Sequence, residues 1–182
     1  MFIIEGPDCV GKTTVANKII SYMQKNHPQF QVHYQHMTRP AEGFDFCYDY
    51  FDRISTYGVM DRFHLGALMY HPPVTLTIAA QRIVEGRLYA RGSFILIMYA
   101  SDSCTYRAKL NEHANQRKEM FHTEILIEAN RKINNLITAK TILFDQIFDV
   151  TVDGSMVYPT DEDIRNYCEQ WVSRLRIVKE LQ

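Results

Sequence analysis

The densest chemical signal in the chain is a run near its start. Gly6-Pro7-Asp8-Cys9-Val10-Gly11-Lys12-Thr13 fits the spacing G-x-x-x-x-G-K-S/T in full. Glycine at both ends lets the backbone turn sharply and bring its N–H groups up to phosphate oxygens. A helix that starts at Lys12 would add the positive end of its dipole at the same spot. Lys12 supplies a point charge for the β- and γ-phosphates, and the Thr13 hydroxyl suits a Mg²⁺ coordination position. The run therefore predicts a cradle for ATP with Mg²⁺, contacted by Gly6, Asp8, Val10, Gly11, Lys12, Thr13 and Thr14. A chance match in a surface loop is the plain alternative. The flanking pattern opposes it, because an apolar strand precedes the loop and an amphipathic helix follows.

Such a loop needs elements to hold it, and the rest of the chain supplies the pattern of a parallel sheet with helices on both faces. Phe2-Ile3-Ile4 reads as a short buried strand. Val15, Ala16, Ile19, Ile20 and Met23 recur at helical spacing and predict a helix over 12–25. A second strand is expected over 30–36, an aromatic-rich helix over 44–55 and a third strand over 57–61. Pro72-Pro73 breaks the chain ahead of a helix expected over 74–90. Phe94 to Ala100 is continuously apolar, as in a strand covered on both faces. Two helices are expected over 101–114 and 119–138, separated by a polar, basic stretch. A last strand over 147–152 and a helix over 160–177, opened by a Thr160–Asp163 capping box, complete a five-stranded α/β domain.

Bulk properties fit one globular domain of 182 residues with 46% apolar and 23% charged residues. A net charge of −1 gives no overall basic field for DNA or an anionic membrane. Basic–aromatic interleaving is confined to Phe44–Arg53, so nucleic acid is not an expected partner. No apolar run approaches the length of a membrane span. Met1 leads straight into a strand-like segment, which predicts a chain without a signal peptide. Cys9, Cys47, Cys104 and Cys168 are scattered without C-x-x-C spacing and read as reduced thiols of a cytoplasmic protein. His33 and His36, three apart in a predicted strand, should face opposite ways, which argues against zinc.

Three motifs in order resemble the thymidylate kinase family. Glu5 to Thr14 is similar to that family's E-G-x-D-x-x-G-K-S/T-T, Thr38-Arg39-Pro40 to its T-R-E-P without the glutamate, and Asp61-Arg62-Phe63 to its D-R-Y/F/H. The resemblance implies a P-loop kinase fold with a lid over about 107–120. Asp8 would meet the 3′-hydroxyl of a deoxynucleotide, and Arg39 the acceptor phosphate. Asp61 would join Thr13 in the Mg²⁺ sphere, and Arg62 would neutralise phosphoryl charge. Tyr70, nine residues after Asp61 as in the family, would pack by the sugar. Arg117, in an R-x-E with Glu119, is the first choice for a catalytic lid arginine, and Arg107 the second. Gly66-Ala67 and His71 replace the family's serine pair and glutamine. The segment between Arg39 and Asp61 is short, leaving Phe44 and Arg53 as substitutes for its base-reading pair.

The implied activity is ATP-dependent phosphoryl transfer to a deoxynucleoside monophosphate, in a protein that relatives suggest is a homodimer. A deoxynucleoside kinase, with Glu5 or Asp61 as base for a 5′-hydroxyl, is the nearest alternative. A kinase acting on a modified base or polynucleotide end, and a nucleotide-binding module without turnover, are the others.

Overall fold

The first strand is central and sets the frame. The computed structural model describes residues 1–36, 56–70, 78–117 and 123–180, and for 67, 68, 70, 78–80 and 115–117 the backbone alone. Strand β1 (Phe2–Glu5) pairs in parallel with β3 (Gly58–Asp61) on one side and β4 (Phe94–Tyr99) on the other. Strand β2 (His33–His36) adds beyond β3, and β5 (Gln146–Asp149) beyond β4. The result is a five-stranded, all-parallel sheet in the order β2-β3-β1-β4-β5. This is the α/β architecture with helices on both faces that the strand and helix periodicities predict.

Alternation along the strands divides the core into two layers. Phe2, Ile4, Phe94, Leu96 and Met98 face one side, where α1 (Lys12–Asn26) and α6 (Asp161–Glu180) pack. Helix α1 contributes Val15, Ala16, Ile19 and Met23, and α6 contributes Trp171, which meets Phe2 edge-on at 5.5 Å between ring centroids. Ile3, Met60, Ile95 and Ile97 face the other side. There they meet α2 (His64–Tyr70), α3 (Ile78–Ala90) and α5 (Thr123–Thr138) through Leu65, Met69, Val84, Leu88, Ala129 and Ile133. Helix α4 (Ser103–Arg117) joins the first layer through Tyr106 and Leu110.

The connections from the neighbouring strands β1 and β3 leave in opposite directions. Helix α1 crosses one face and α2 the other, which opens a crevice at the carboxyl ends of the two strands. In open parallel sheets this reversal is where ligands bind.

Several boundaries differ from expectation for local reasons. Residues 28–30 form a turn of 3₁₀ helix, and Gln31 takes a left-handed φ of 48°, so β2 starts only at His33. The last expected strand divides. Strand β5 stops at Asp149, whose carboxylate takes the N–H groups of Ser101 and Thr151. A small hairpin of β6 (Thr151–Val152) and β7 (Ser155–Met156) follows. Asp153 and Gly154 at its turn both have positive φ, the geometry that an Asp-Gly pair favours. Helix α4 continues past 114 through Arg117, so residues 107–117 of the expected lid are helical. The Thr160–Asp163 capping box forms reciprocally: the Thr160 hydroxyl accepts from Asp163 N at 3.1 Å, and the Asp163 carboxylate accepts from Thr160 N at 2.8 Å. The helix expected over 44–55 lies outside the described residues, and among those described no helix is long and apolar enough to cross a membrane.

Packing of α6 against α1 and the sheet buries Cys168 completely, and burial pushes its thiol up from 9.0 to about 12. The thiolate is the reactive form. Iodoacetamide at pH 8 is therefore expected to alkylate exposed Cys104 on native protein and to spare Cys168 until unfolding, as read by peptide mass mapping. Prompt labelling of Cys168 would contradict this packing.

Candidate functional site

Where β1 ends, the chain can turn only because Gly6 lacks a side chain. At φ 149° a Cβ there would stand 2.1 Å from the Met98 carbonyl oxygen of β4. The loop then passes through a left-handed Cys9 (φ 63°) and Gly11 (φ 85°) before α1 begins. Val10 is fully buried and pins the loop to the core, so only its backbone is available to a ligand. These constraints hold successive N–H groups around the start of α1.

The charged groups converge on this loop. Lys12 is only 5% exposed. Its ammonium donates to the Pro7 carbonyl at 2.5 Å and lies 3.8 Å from Asp8 Oδ1 and 3.9 Å from Asp61 Oδ1. Burial lowers its pKa, and the carboxylates of Asp61 and Glu5 oppose that shift. Asp61 ends β3 in register with Ile4 of β1 and His36 of β2. The Thr13 hydroxyl donates to Asp61 Oδ2 at 2.8 Å, and the Tyr34 hydroxyl donates to the same oxygen at 3.1 Å. His36 Nδ1 stands 3.8 Å from it. The other oxygen, Asp61 Oδ1, is buried and makes no hydrogen bond.

That orphaned oxygen beside a threonine hydroxyl tests the site for a divalent cation. Among the described residues no three His, Cys, Asp or Glu side chains group to hold a metal by themselves. One carboxylate and one hydroxyl, both hard oxygen donors, instead suit Mg²⁺, which normally keeps waters and takes phosphate oxygens for the rest of its shell. The residues fit the ion.

Arg62 follows Asp61 with a left-handed φ of 70°, a costly conformation for a residue with a side chain. Its N–H donates to the Ile4 carbonyl at 2.9 Å, which extends the β1–β3 pairing past the strand end. Its guanidinium returns to pair with the Asp8 carboxylate. The strained backbone thus aims a cation at the glycine-rich loop. Together the loop, Asp61, Arg62 and His36 border a cavity of about 480 Å³, which His113 of α4 and Tyr158 also line. That volume lies within the range of small-molecule sites.

Beneath the loop lies a second polar layer. Glu5 is fully buried, and its two carboxylate oxygens accept from the N–H groups of Leu65 (2.9 Å) and Gly66 (3.2 Å) at the start of α2. Buried His64 lies 3.5 Å from Glu5 and 3.7 Å from Glu85 of α3. Burial raises the Glu5 pKa, against the pull of His64 and the α2 amides. The layer fixes the β3–α2 turn to the end of β1, and so fixes Arg62 relative to the loop.

No family model matches the chain, and no curated protein matches it either.

The residues singled out from sequence do not all meet. Asp8, Gly11, Lys12, Thr13, Thr14, Asp61 and Arg62 border one cavity. Arg107 does not: it is exposed and pairs with Glu124 of α5. Its helix face, not its charge, decides this, since Tyr106 and Leu110 are the buried positions of α4. Arg117 ends α4 and Tyr70 ends α2, with only their backbones described. Arg39, Phe44 and Arg53 lie outside the described residues. The sequence reading missed His36, Tyr34, His113 and Tyr158. The parallel register of β2 with β3 is the signal for His36. Spacing of three from Leu110 is the signal for His113. Tyr158 was missed because the hairpin before it was not foreseen, and the signal for that hairpin is its Asp153-Gly154 turn.

The close approach at Gly6 gives a paired test. Gly6→Ala should destabilise the protein by about 2–4 kcal/mol in urea unfolding, because a backbone carbonyl fills the required space. Gly86→Ala, on an open face of α3 with nothing within 4 Å, should stabilise by about 0.5–1 kcal/mol. Equal effects at the two positions would contradict the loop geometry.

Proposed function

We propose that this protein is an ATP-dependent kinase of the thymidylate kinase type, acting on a deoxynucleoside monophosphate. One observation carries the reading: a glycine-rich loop, a buried lysine, a threonine–aspartate pair and an aimed arginine share one cavity at the crevice between β1 and β3. The resemblance of Glu5–Thr14 and Asp61–Phe63 to that family supports the same conclusion from sequence.

In this reading the loop amides and Lys12 bind the β- and γ-phosphates of ATP, which is a substrate. Thr13 and Asp61 hold Mg²⁺, which screens charge between the phosphates when bound. The bond between the γ-phosphorus and the β-bridging oxygen breaks as a bond forms to a phosphate oxygen of the acceptor. ADP and a nucleoside diphosphate leave. Lys12 must let go of Pro7 O to meet the phosphates, a short side-chain swing. Arg62, held by Asp8, steadies charge on the transferred group, and Arg39 positions the acceptor phosphate. Arg117, at the end of α4, is the lid cation of this scheme, because Arg107 is committed to Glu124. Catalysis of this kind is positioning and electrostatics, with little covalent work for the protein.

The nucleoside-kinase alternative needs a base. Glu5 is poorly disposed for it, since it is sealed under the loop with its oxygens taken by α2 amides. Asp61 has one oxygen engaged by Thr13 and Tyr34 and the other without a hydrogen bond, so it is the base this alternative would use.

Lys12→Met is expected to lower kcat by more than about 100-fold while thermal unfolding stays near that of the parent. Retention of full activity would defeat the loop assignment. Arg39→Ala is expected to raise KM for the monophosphate by about tenfold or more and to leave KM for ATP unchanged. An unchanged acceptor KM would remove the monophosphate from the reading.

A further inference from the structure

We propose that His113 of α4 is a phosphate-binding residue, its imidazole donating a hydrogen bond to the polyphosphate of the nucleoside triphosphate held by the glycine-rich loop. The inference rests on the reading of that loop as a triphosphate site. It adds a residue that no motif designates.

Helix α4 is seated firmly over the loop. Tyr106 is fully buried, and its hydroxyl donates to the Asp8 carbonyl at 2.6 Å; Leu110, one turn on, is also fully buried. His113 continues this face, seven residues after Tyr106 and three after Leu110, and it is half-buried at the cavity wall. Of the charged side chains nearby on the helix, Arg107 pairs across to Glu124 of α5, and Lys109, though close enough to Cys9 and Tyr158 to feel their charge, pairs along the helix with Glu112 at 2.8 Å. Neither borders the cavity, whereas His113 does.

Charge balance gives the imidazole its task. Lys12 faces Asp8 and Asp61, and Arg62 pairs with Asp8. Within the cavity these two cations are thus offset by two carboxylates before any ligand arrives. Among the described side chains that border the cavity, a polyphosphate finds little surplus positive charge beyond this balance. It needs Mg²⁺ together with further donors that no carboxylate has already engaged. His36 stands beside Asp61, whereas His113 lines the cavity from α4, the helix whose Tyr106 holds the Asp8 carbonyl.

The test is isothermal titration of Mg·ATP without acceptor into the parent protein, His113→Ala and His113→Gln. His113→Ala should bind about ten- to hundredfold more weakly, the loss of one hydrogen bond to a charged group. His113→Gln, which keeps an N–H donor, should recover most of the affinity. Thermal unfolding should match across the three proteins. If the parent binds Mg·ATP and His113→Ala binds within about twofold of it, this proposal is wrong and the loop reading stands. If His113→Gln is as weak as His113→Ala, the hydrogen-bond role is also wrong. If the parent itself binds no Mg·ATP, the triphosphate reading fails first.

Discussion

The parallel pairing of β1 with β3, whose following helices leave toward opposite faces, is the constraint on which the site depends. It places the end of β3 beside the start of the glycine-rich loop. Asp61 and Thr13 meet there through a 2.8 Å hydrogen bond. Arg62 N–H continues the pairing to Ile4 for one residue beyond the strand. Moving β3 by one residue would turn Asp61 to the other face of the sheet and dissolve the arrangement.

Local costs concentrate around this junction. Cys9 and Arg62 adopt left-handed backbones, Lys12 is buried with its charge, and Glu5 lies sealed beneath. None of these choices favours folding on its own. Each has compensation nearby: carboxylates around Lys12, α2 amides and His64 around Glu5, and the Asp8 carboxylate for Arg62. Departures from local preference that are supported by their surroundings are characteristic of sites where structure is committed to function.

Much of this was legible in the sequence, for physical reasons that also explain what was not. The strands announce themselves because β1 and β4 are buried on both faces and read as unbroken apolar runs. The loop announces itself because glycine is required where a backbone carbonyl or a ring stands within bonding reach of a Cβ. Asp61 was found through the motif that follows its strand. His36 was discounted because alternation along one strand says nothing about its neighbour; only the register of β2 against β3 brings it to Asp61. Arg107 was chosen for its charge, yet helix phase directs it to Glu124 and directs His113 inward. The last strand was expected to run to 152, and the turn at Asp153-Gly154 just beyond it went unread, although that dipeptide is a strong turn signal. With it went Tyr158.

Catalytic transfer is the central claim, and a coupled ADP-release assay with Mg·ATP and a panel of nucleosides and nucleoside monophosphates tests it most directly. The account predicts Mg²⁺-dependent ADP formation with one or more deoxynucleoside monophosphates and none with the matching nucleosides. ADP formation with nucleosides alone, or with no acceptor in the panel, would contradict it.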